Sequence, residues 1–160
     1  MNSRNDTGVV PGPASGQISH THRLRGLAVT GFFATLAAMV ATTLAATLAQ
    51  AVGVDFEVPD GGETIPLPGF AVVTGFFSVV GIVIAVALLR WSARPAERFV
   101  WTAVSLTVIS FVPPLLSGAS ATTITALIGL HLVAATVMIP TLARSLRIPL
   151  KRQIGRSSSA

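Results

Sequence analysis

The sequence predicts an all-α membrane protein, a four-transmembrane-helix bundle with a small extracytoplasmic β-hairpin between helices 1 and 2. Of the 160 residues, 51% are hydrophobic and 11% are charged, whereas an average soluble domain carries roughly 25% charged residues. The apolar residues fall into four long uncharged runs, and a helix of about 20 apolar residues is long enough to cross a bilayer. The Lys and Arg residues lie between and outside these runs.

The four runs are predicted to form one membrane domain over residues 27–143, with basic and polar segments on either side. We expect its helices at about 27–51, 68–89, 99–117 and 122–143. The polar residues 1–26 cannot bury enough apolar surface to fold, and they are predicted to be a disordered cytoplasmic leader. Residues 144–160 are predicted to be a basic cytoplasmic tail.

The first run has an alternative interpretation as a signal peptide. Ala49-Gln50-Ala51 has the small-x-small pattern of a signal peptidase site. The apolar region of a signal peptide is roughly 7–15 residues long, however, and this run is longer. We therefore expect an uncleaved helix, with cleavage at this site as the alternative.

The basic residues predict the orientation, because cytoplasmic loops are enriched in Lys and Arg. They precede the first helix, join the second to the third and follow the fourth: Arg4, Arg23 and Arg25; Arg90, Arg94 and Arg98; Arg144, Arg147, Lys151, Arg152 and Arg156. Both termini are thus expected in the cytoplasm and the chain in the plasma membrane, the inner membrane of a bacterium. The net charge of +5 is then a topology signal that indicates no nucleic-acid partner. It is also expected to attract anionic lipid headgroups.

The loop between helices 1 and 2, residues 52–67, has the pattern of a β-hairpin. Apolar and polar residues alternate on both sides of the turn sequence Pro59-Asp60-Gly61-Gly62. One face is apolar and is expected to lie on the bundle or the headgroup layer. The other face carries an outer acidic loop that is expected to face water: Asp55, Glu57, Asp60 and Glu63.

No Asp, Glu, Lys or Arg lies inside a predicted span, and His131 is the exception among ionisable residues. An ionisable residue at membrane depth is a functional hypothesis; the alternative is a neutral imidazole that bonds a neighbouring helix for packing. At about 1.5 Å per residue, its level corresponds to Thr107–Ser110 on the third helix. A hydroxyl of Thr107 or Ser110 is therefore a candidate partner. One histidine without cysteines predicts no metal site, and we expect no cofactor.

Three prolines are candidates for helix kinks, because proline removes a backbone donor. Pro113 and Pro114 lie near the outer end of the third helix, and an early helix end is favoured there because Ser117-Gly118 follows. Pro140 is expected to bend or end the fourth helix near the inner face.

Several short motifs resemble those of an actinobacterial domain-of-unknown-function family of small four-helix membrane proteins. They are Trp101-Thr102, Ser110, Pro113-Pro114, Ala121-Thr122, His131-Leu132 and Ile139-Pro140. The resemblance covers roughly residues 25–146 and includes the loop between helices 1 and 2. It implies the four-helix topology and no particular chemistry.

Three functions agree with these patterns. The favoured one is a non-enzymatic structural or partner subunit, held in the bilayer and associated with itself or with another membrane protein through small-residue helix faces. The second is an isomerase or cyclase acting on a lipid-soluble molecule, with His131 as acid/base and Ser110 or Thr107 orienting it. The third is a small-molecule exporter that works as an oligomer.

Overall fold

The computed structural model describes residues 14–58 and 63–147; for residues 14–20, 58 and 63 it describes the backbone alone. Within these residues the elements are α1 (Ala14–Ala51), β1 (Glu57–Val58), β2 (Glu63–Thr64), α2 (Leu67–Trp91), α3 (Pro95–Ile109), α4 (Val112–Leu116) and α5 (Ala121–Arg147).

The described residues include four helical segments that are long and apolar enough to cross a membrane, as the sequence predicts. They are Thr21–Ala51, Leu67–Trp91, Pro95–Leu116 and Ala121–Arg147. α1 packs against α2 and α5, and α3 packs against the same two helices, so the four long helices form a ring in the order α1, α2, α3, α5. Short connections make sequence neighbours antiparallel.

The up-and-down order gives the bundle two different ends. The start of α1, the α2–α3 connection and the end of α5 lie at one end, together with Arg90, Arg94, Arg98, Arg144 and Arg147. We call this the basic end. The opposite end carries β1 and β2 and is called the ladder end.

The first helix ends as predicted and begins earlier than predicted. Gly53 has a left-handed φ of +89°, and the Val54 N–H donates to the Ala49 carbonyl at 3.0 Å. This glycine cap ends α1 at Ala51. α1 begins at Ala14, so residues 14–26 are helical where the sequence predicts a disordered leader. No proline lies between Pro13 and the end of α1, and adding residues to an existing helix needs no new nucleus. Residues 1–13 lie outside the described residues.

The third span is broken in two. α3 ends at Ile109, and the short α4 begins at Val112 with Pro113 in its first turn. Pro113 and Pro114 have no N–H to donate to the carbonyls four residues earlier, Ile109 and Ser110, so the helix cannot continue unbroken there. The prolines therefore both end α3 and begin α4, rather than only shortening one helix.

α5 does not end at Pro140. The helix runs through this proline and ends at Arg147, so that residues 144–147 of the predicted tail are helical. Residues 148–160 lie outside the described part of the chain. Pro140 is exposed on the outside of α5, where its ring meets no neighbouring helix core.

The loop that precedes α2 pairs briefly and fills the ladder end. Glu57 pairs with Thr64 and Val58 with Glu63 in an antiparallel ladder, which is shorter than the strands that the alternation predicts. The turn sequence 59–62 lies outside the described residues. Phe56 is 1% exposed and its ring lies 4.8 Å from that of Phe70, so the loop inserts an aromatic side chain between the helices.

Candidate functional site

The buried apolar side chains of the bundle form two separate clusters. The larger lies toward the basic end and consists of Leu27, Ala34, Ala38, Ala85, Phe99, Met138, Leu142, Ala143 and Leu146. The smaller lies at the ladder end and consists of Ala46, Phe56 and Leu130. Along α1, α2 and α5 the stretches between these clusters carry polar side chains.

These polar side chains make up the candidate site, which we call the polar waist. Thr42 and Ser78 are buried in it, and His131 is half-buried. The ring of Phe111 lies 6.1 Å from that of His131, edge to face, which places the α3–α4 break at the same level. The polar waist comprises Thr42, Thr74, Ser78, Thr107, Ser110 and His131.

His131 has a defined tautomer. Its Nδ1 lies 2.8 Å from the Leu127 carbonyl oxygen one turn earlier in α5. A carbonyl can only accept, so Nδ1 carries a proton, and in the neutral ring Nε2 carries the lone pair. Within the described part of the chain, Nε2 has no hydrogen-bond partner, and it is not among the fully buried atoms. In this tautomer the ring can act as a hydrogen-bond acceptor or a base at Nε2.

The predicted partners of His131 are bonded elsewhere. Ser110 Oγ donates to the Thr107 carbonyl at 2.7 Å, and Thr107 Oγ1 donates to the Ala103 carbonyl at 2.8 Å. Both hydroxyls thus serve their own helix, Ser110 at the turn where the prolines remove donors. The structure brings Ser110 and His131 to one level and forms no hydrogen bond between the described side chains. The imidazole is oriented by the backbone of α5 instead.

The interhelical hydrogen bond of the polar waist joins α1 to α2. Thr42 Oγ1 lies 3.1 Å from Thr74 Oγ1 and also 2.8 Å from the Ala38 carbonyl oxygen, to which it donates. Thr74 then donates to Thr42. The sequence analysis missed this pair, since a threonine at this position is equally able to bond only its own backbone.

The predicted acidic loop lies at the ladder end, away from the polar waist. The side chains of Asp55 and Glu57 are exposed, and the backbone carbonyl of Asp55 accepts a hydrogen bond from Thr123 Oγ1 at 2.6 Å. That bond fastens the loop to the start of α5. Asp60 and the side chain of Glu63 lie outside the described residues.

A second polar feature is an open cleft at the basic end, which we call the α2–α3 cleft. It has a volume of about 480 Å³ and is lined by Leu88, Arg94, Glu97, Arg98, Trp101 and Thr102. Arg94 and Glu97 form an ion pair of 3.6 Å whose side chains are 79% and 59% exposed. The sequence analysis treats these arginines as topology signals and misses the cleft, although the spacing of residues 94, 97 and 98 places them on one helix turn.

Comparison with known families agrees with this architecture. A family model described as "Family of unknown function (DUF6069)" matches residues 22–148. No curated protein and no solved structure matches the chain. The match covers all four apolar helices and the loop that fills the ladder end, and it confirms the predicted membership in a family of unknown function. The chain therefore belongs to the DUF6069 family.

Proposed function

We propose that this protein is a multi-pass plasma-membrane protein that acts without turnover, as a structural or partner subunit. The hydrogen bonding of the polar waist carries the proposal. His131 donates its one N–H to its own helix, and the nearby hydroxyls of Ser110 and Thr107 do the same. In the enzyme hypothesis one of these hydroxyls orients the imidazole, and both are bonded to backbone carbonyls of their own helix instead.

The proposed orientation places the basic end in the cytoplasm. The arginines at the α2–α3 connection and at the end of α5 lie at this end, and cytoplasmic loops of membrane proteins are enriched in Lys and Arg. The ladder end then lies outside, with Asp55 and Glu57 in water. In this proposal β1 and β2 belong to the predicted hairpin, and Ala49-Gln50-Ala51 remains uncleaved within α1.

The outward faces of α1 and α2 are apolar and are available for contact with a partner. Phe32 and Phe33 on α1 and Phe76 and Phe77 on α2 are at least 60% exposed. In a bilayer these rings contact lipid chains or the helices of a second copy or of another membrane protein. Association between helices in lipid depends on close packing rather than on removing apolar surface from water.

Single cysteines test the proposed orientation, and the chain contains no cysteine that would interfere. Asp55→Cys at the ladder end should react with a membrane-impermeant maleimide on intact cells. Arg144→Cys at the basic end should react only after the membrane is permeabilised. Reaction of both positions from the same side would contradict the proposed topology.

Lipid-preserving mass spectrometry tests the proposed absence of turnover. The detergent-purified native protein is compared with His131→Ala and with the control Thr136→Ala, whose Oγ1 bonds only the Val133 carbonyl of the same helix. We expect no molecule that the native protein and Thr136→Ala retain and His131→Ala loses, and a lower melting temperature for His131→Ala alone.

The accessible Nε2 lone pair of His131 supports the enzyme as second candidate function. A hydrophobic molecule that co-purifies with the native protein, is lost from His131→Ala and is converted over time would establish that candidate and overturn the structural proposal. In the observed tautomer, His131 would begin such a reaction as the base, since Nε2 carries no proton to give.

A further inference from the structure

We propose that the α2–α3 cleft binds one anionic phospholipid, with the phosphate at Arg94 and Arg98 and an acyl chain along Trp101 and Leu88. The inference rests on the proposed membrane location and adds a defined ligand site to it. Three features of the cleft carry it: its charge, the weakness of its internal ion pair and its apolar wall.

The charge of the cleft favours an anion. Arg94 is the N-cap residue of α3 and Arg98 lies in the first turn of the helix, and both side chains line the cleft. Glu97 offsets one of these two positive charges, so the three side chains leave a net charge of +1 in the lining. A phosphodiester carries one negative charge, and the planar guanidinium group donates two parallel hydrogen bonds to phosphate oxygens.

The internal ion pair can be rearranged at little cost. Arg94 Nη1 lies 3.6 Å from Glu97 Oε2, which is longer than a charge-assisted hydrogen bond of about 2.7–2.9 Å. The side chains are 79% and 59% exposed, and an exposed pair of this kind stabilises a protein by about 0–1 kcal/mol. Arg98 has no ion-pair partner among the described residues. Both guanidinium groups are thus available to a phosphate.

The wall of the cleft indicates a lipid rather than free phosphate. Trp101 is 70% exposed and lies about one turn farther along α3 than Arg98, toward the middle of the bundle. Leu88 on α2 belongs to the apolar surround of the larger core cluster and also lines the cleft. Tryptophan favours the headgroup level of a bilayer. The polar and apolar parts of the cleft therefore follow each other in the order of a phospholipid headgroup and its chain.

Lipid binding to the purified full-length protein tests the proposal. The native protein in mild detergent is titrated with phosphatidylglycerol and with phosphatidylcholine, and retention is followed by native mass spectrometry. We expect tighter binding of phosphatidylglycerol. Since a basic residue near a membrane surface contributes about fivefold in affinity, the double variant Arg94→Gln/Arg98→Gln should bind it about 25-fold more weakly.

The control removes the same charge from the same end of the bundle. Arg144 and Arg147 are exposed in the last turn of α5 and do not line the cleft. Arg144→Gln/Arg147→Gln should change phosphatidylglycerol binding by no more than about twofold, because neither side chain lines the cleft and salt weakens interactions between exposed charges. Equal losses in both double variants would show diffuse attraction and overturn the cleft as a site.

The variant Glu97→Gln should bind phosphatidylglycerol more tightly, a result that misfolding cannot produce. Removing the carboxylate releases Arg94 and raises the charge of the cleft, so phosphatidylglycerol should bind about twofold to fivefold more tightly. Unchanged or weaker binding would overturn the proposal.

Displacement of the lipid by inorganic phosphate would show that the cleft takes phosphate alone and would overturn the lipid assignment. Equal retention of both lipids, or retention of neither, would overturn the cleft as a lipid site, whereas the proposed membrane location is tested separately by the cysteine labelling of Asp55→Cys and Arg144→Cys.

Discussion

In helices α1 and α2 the relation between hydropathy and burial is the reverse of the one found in a soluble protein. α2 has the highest mean hydropathy of the four apolar helices and α1 shares the lowest. Yet 33% of the most apolar stretch of α1 is buried inside the protein, against 11% for α2. In water the more apolar helix would be the more buried one. The reversal is expected when the surroundings of the bundle are themselves apolar.

The two faces of α1 explain the difference. The buried face consists mostly of small or short side chains: Leu27, Gly31, Ala34, Thr35, Ala38, Thr42 and Ala46. The outward face consists of large ones: Val29, Phe32, Phe33, Leu36, Val40, Leu44 and Leu48. α2 buries only Ser78 and Ala85 fully. Packing in this protein therefore depends on small residues that allow close approach, and bulk apolar surface faces outward.

The largest expected effect comes from Phe56, the most deeply buried aromatic ring among the described residues. Phe56→Ala should lower the free energy of unfolding in micelles by about 3–5 kcal/mol, because it empties the ladder end. Phe77→Ala, at a ring that is 64% exposed, should change it little. Equal effects of the two variants would remove the distinction between buried and outward faces.

Enlarging a packed position should have the next largest effect. Ala38 is 0% exposed between α1 and its neighbours, and Ala38→Leu should cost about 1–3 kcal/mol through overpacking. Val40→Leu on the outward face, where Val40 is 59% exposed, is the control and should be neutral. A neutral Ala38→Leu would mean that the α1 interface is looser than described.

A single methyl group probes the closest approach of α1 and α2. A Cβ at Gly31 would lie 2.8 Å from Ile82 Cδ1, whereas a Cβ at Gly81 would meet nothing within 4 Å. We expect Gly31→Ala to destabilise by about 1 kcal/mol, the overpacking cost being partly offset by helix propensity. Gly81→Ala should stabilise slightly, since alanine favours the helix. Equal changes in the free energy of unfolding of the two variants would refute the close contact.

The smallest effect concerns the hydrogen bond between Thr42 and Thr74. Thr42→Val removes it while keeping the shape, and an average interhelical hydrogen bond in a membrane protein contributes about 0.6 kcal/mol. Thr43→Val is matched, because Thr43 Oγ1 bonds only the Met39 carbonyl of its own helix. A double-mutant cycle with Thr74→Val should recover the difference, and a coupling of zero would rule out the bond.

The sequence predicts the four apolar helices well, because a long uncharged run has few alternatives to a membrane-crossing helix. The structure adds what the uncharged run could not show, that α1 ends at Ala51 with a cap at the left-handed Gly53. The sequence places Ser110 at the level of His131. It does not predict that Ser110 bonds its own backbone, because this bond depends on the break after α3: the Phe111 N–H donates to the Val108 carbonyl, and Ser110 Oγ donates to the Thr107 carbonyl instead.

The other features that the sequence does not predict depend on how neighbouring helices are rotated and spaced. Which threonine reaches a neighbouring helix depends on helix rotation, and periodicity alone does not distinguish Thr42 from Thr43. The α2–α3 cleft depends on how two helices diverge from a short connection, so neither Arg98 nor Trp101 reveals it in isolation. A family of unknown function supplies no chemistry that would have selected one of these sites.

Spin labels at two single cysteines would test the central claim most directly, that the large apolar faces of the bundle contact lipid. The labels replace Phe77, on the outward face of α2, and Leu142, which is 0% exposed, in protein reconstituted into bilayers. We expect oxygen, which dissolves in lipid, to relax the label at position 77 strongly and a water-soluble nickel complex to leave it unaffected, while the label at position 142 responds to neither. Strong relaxation of the label at position 77 by the nickel complex would place that face in water and contradict the account.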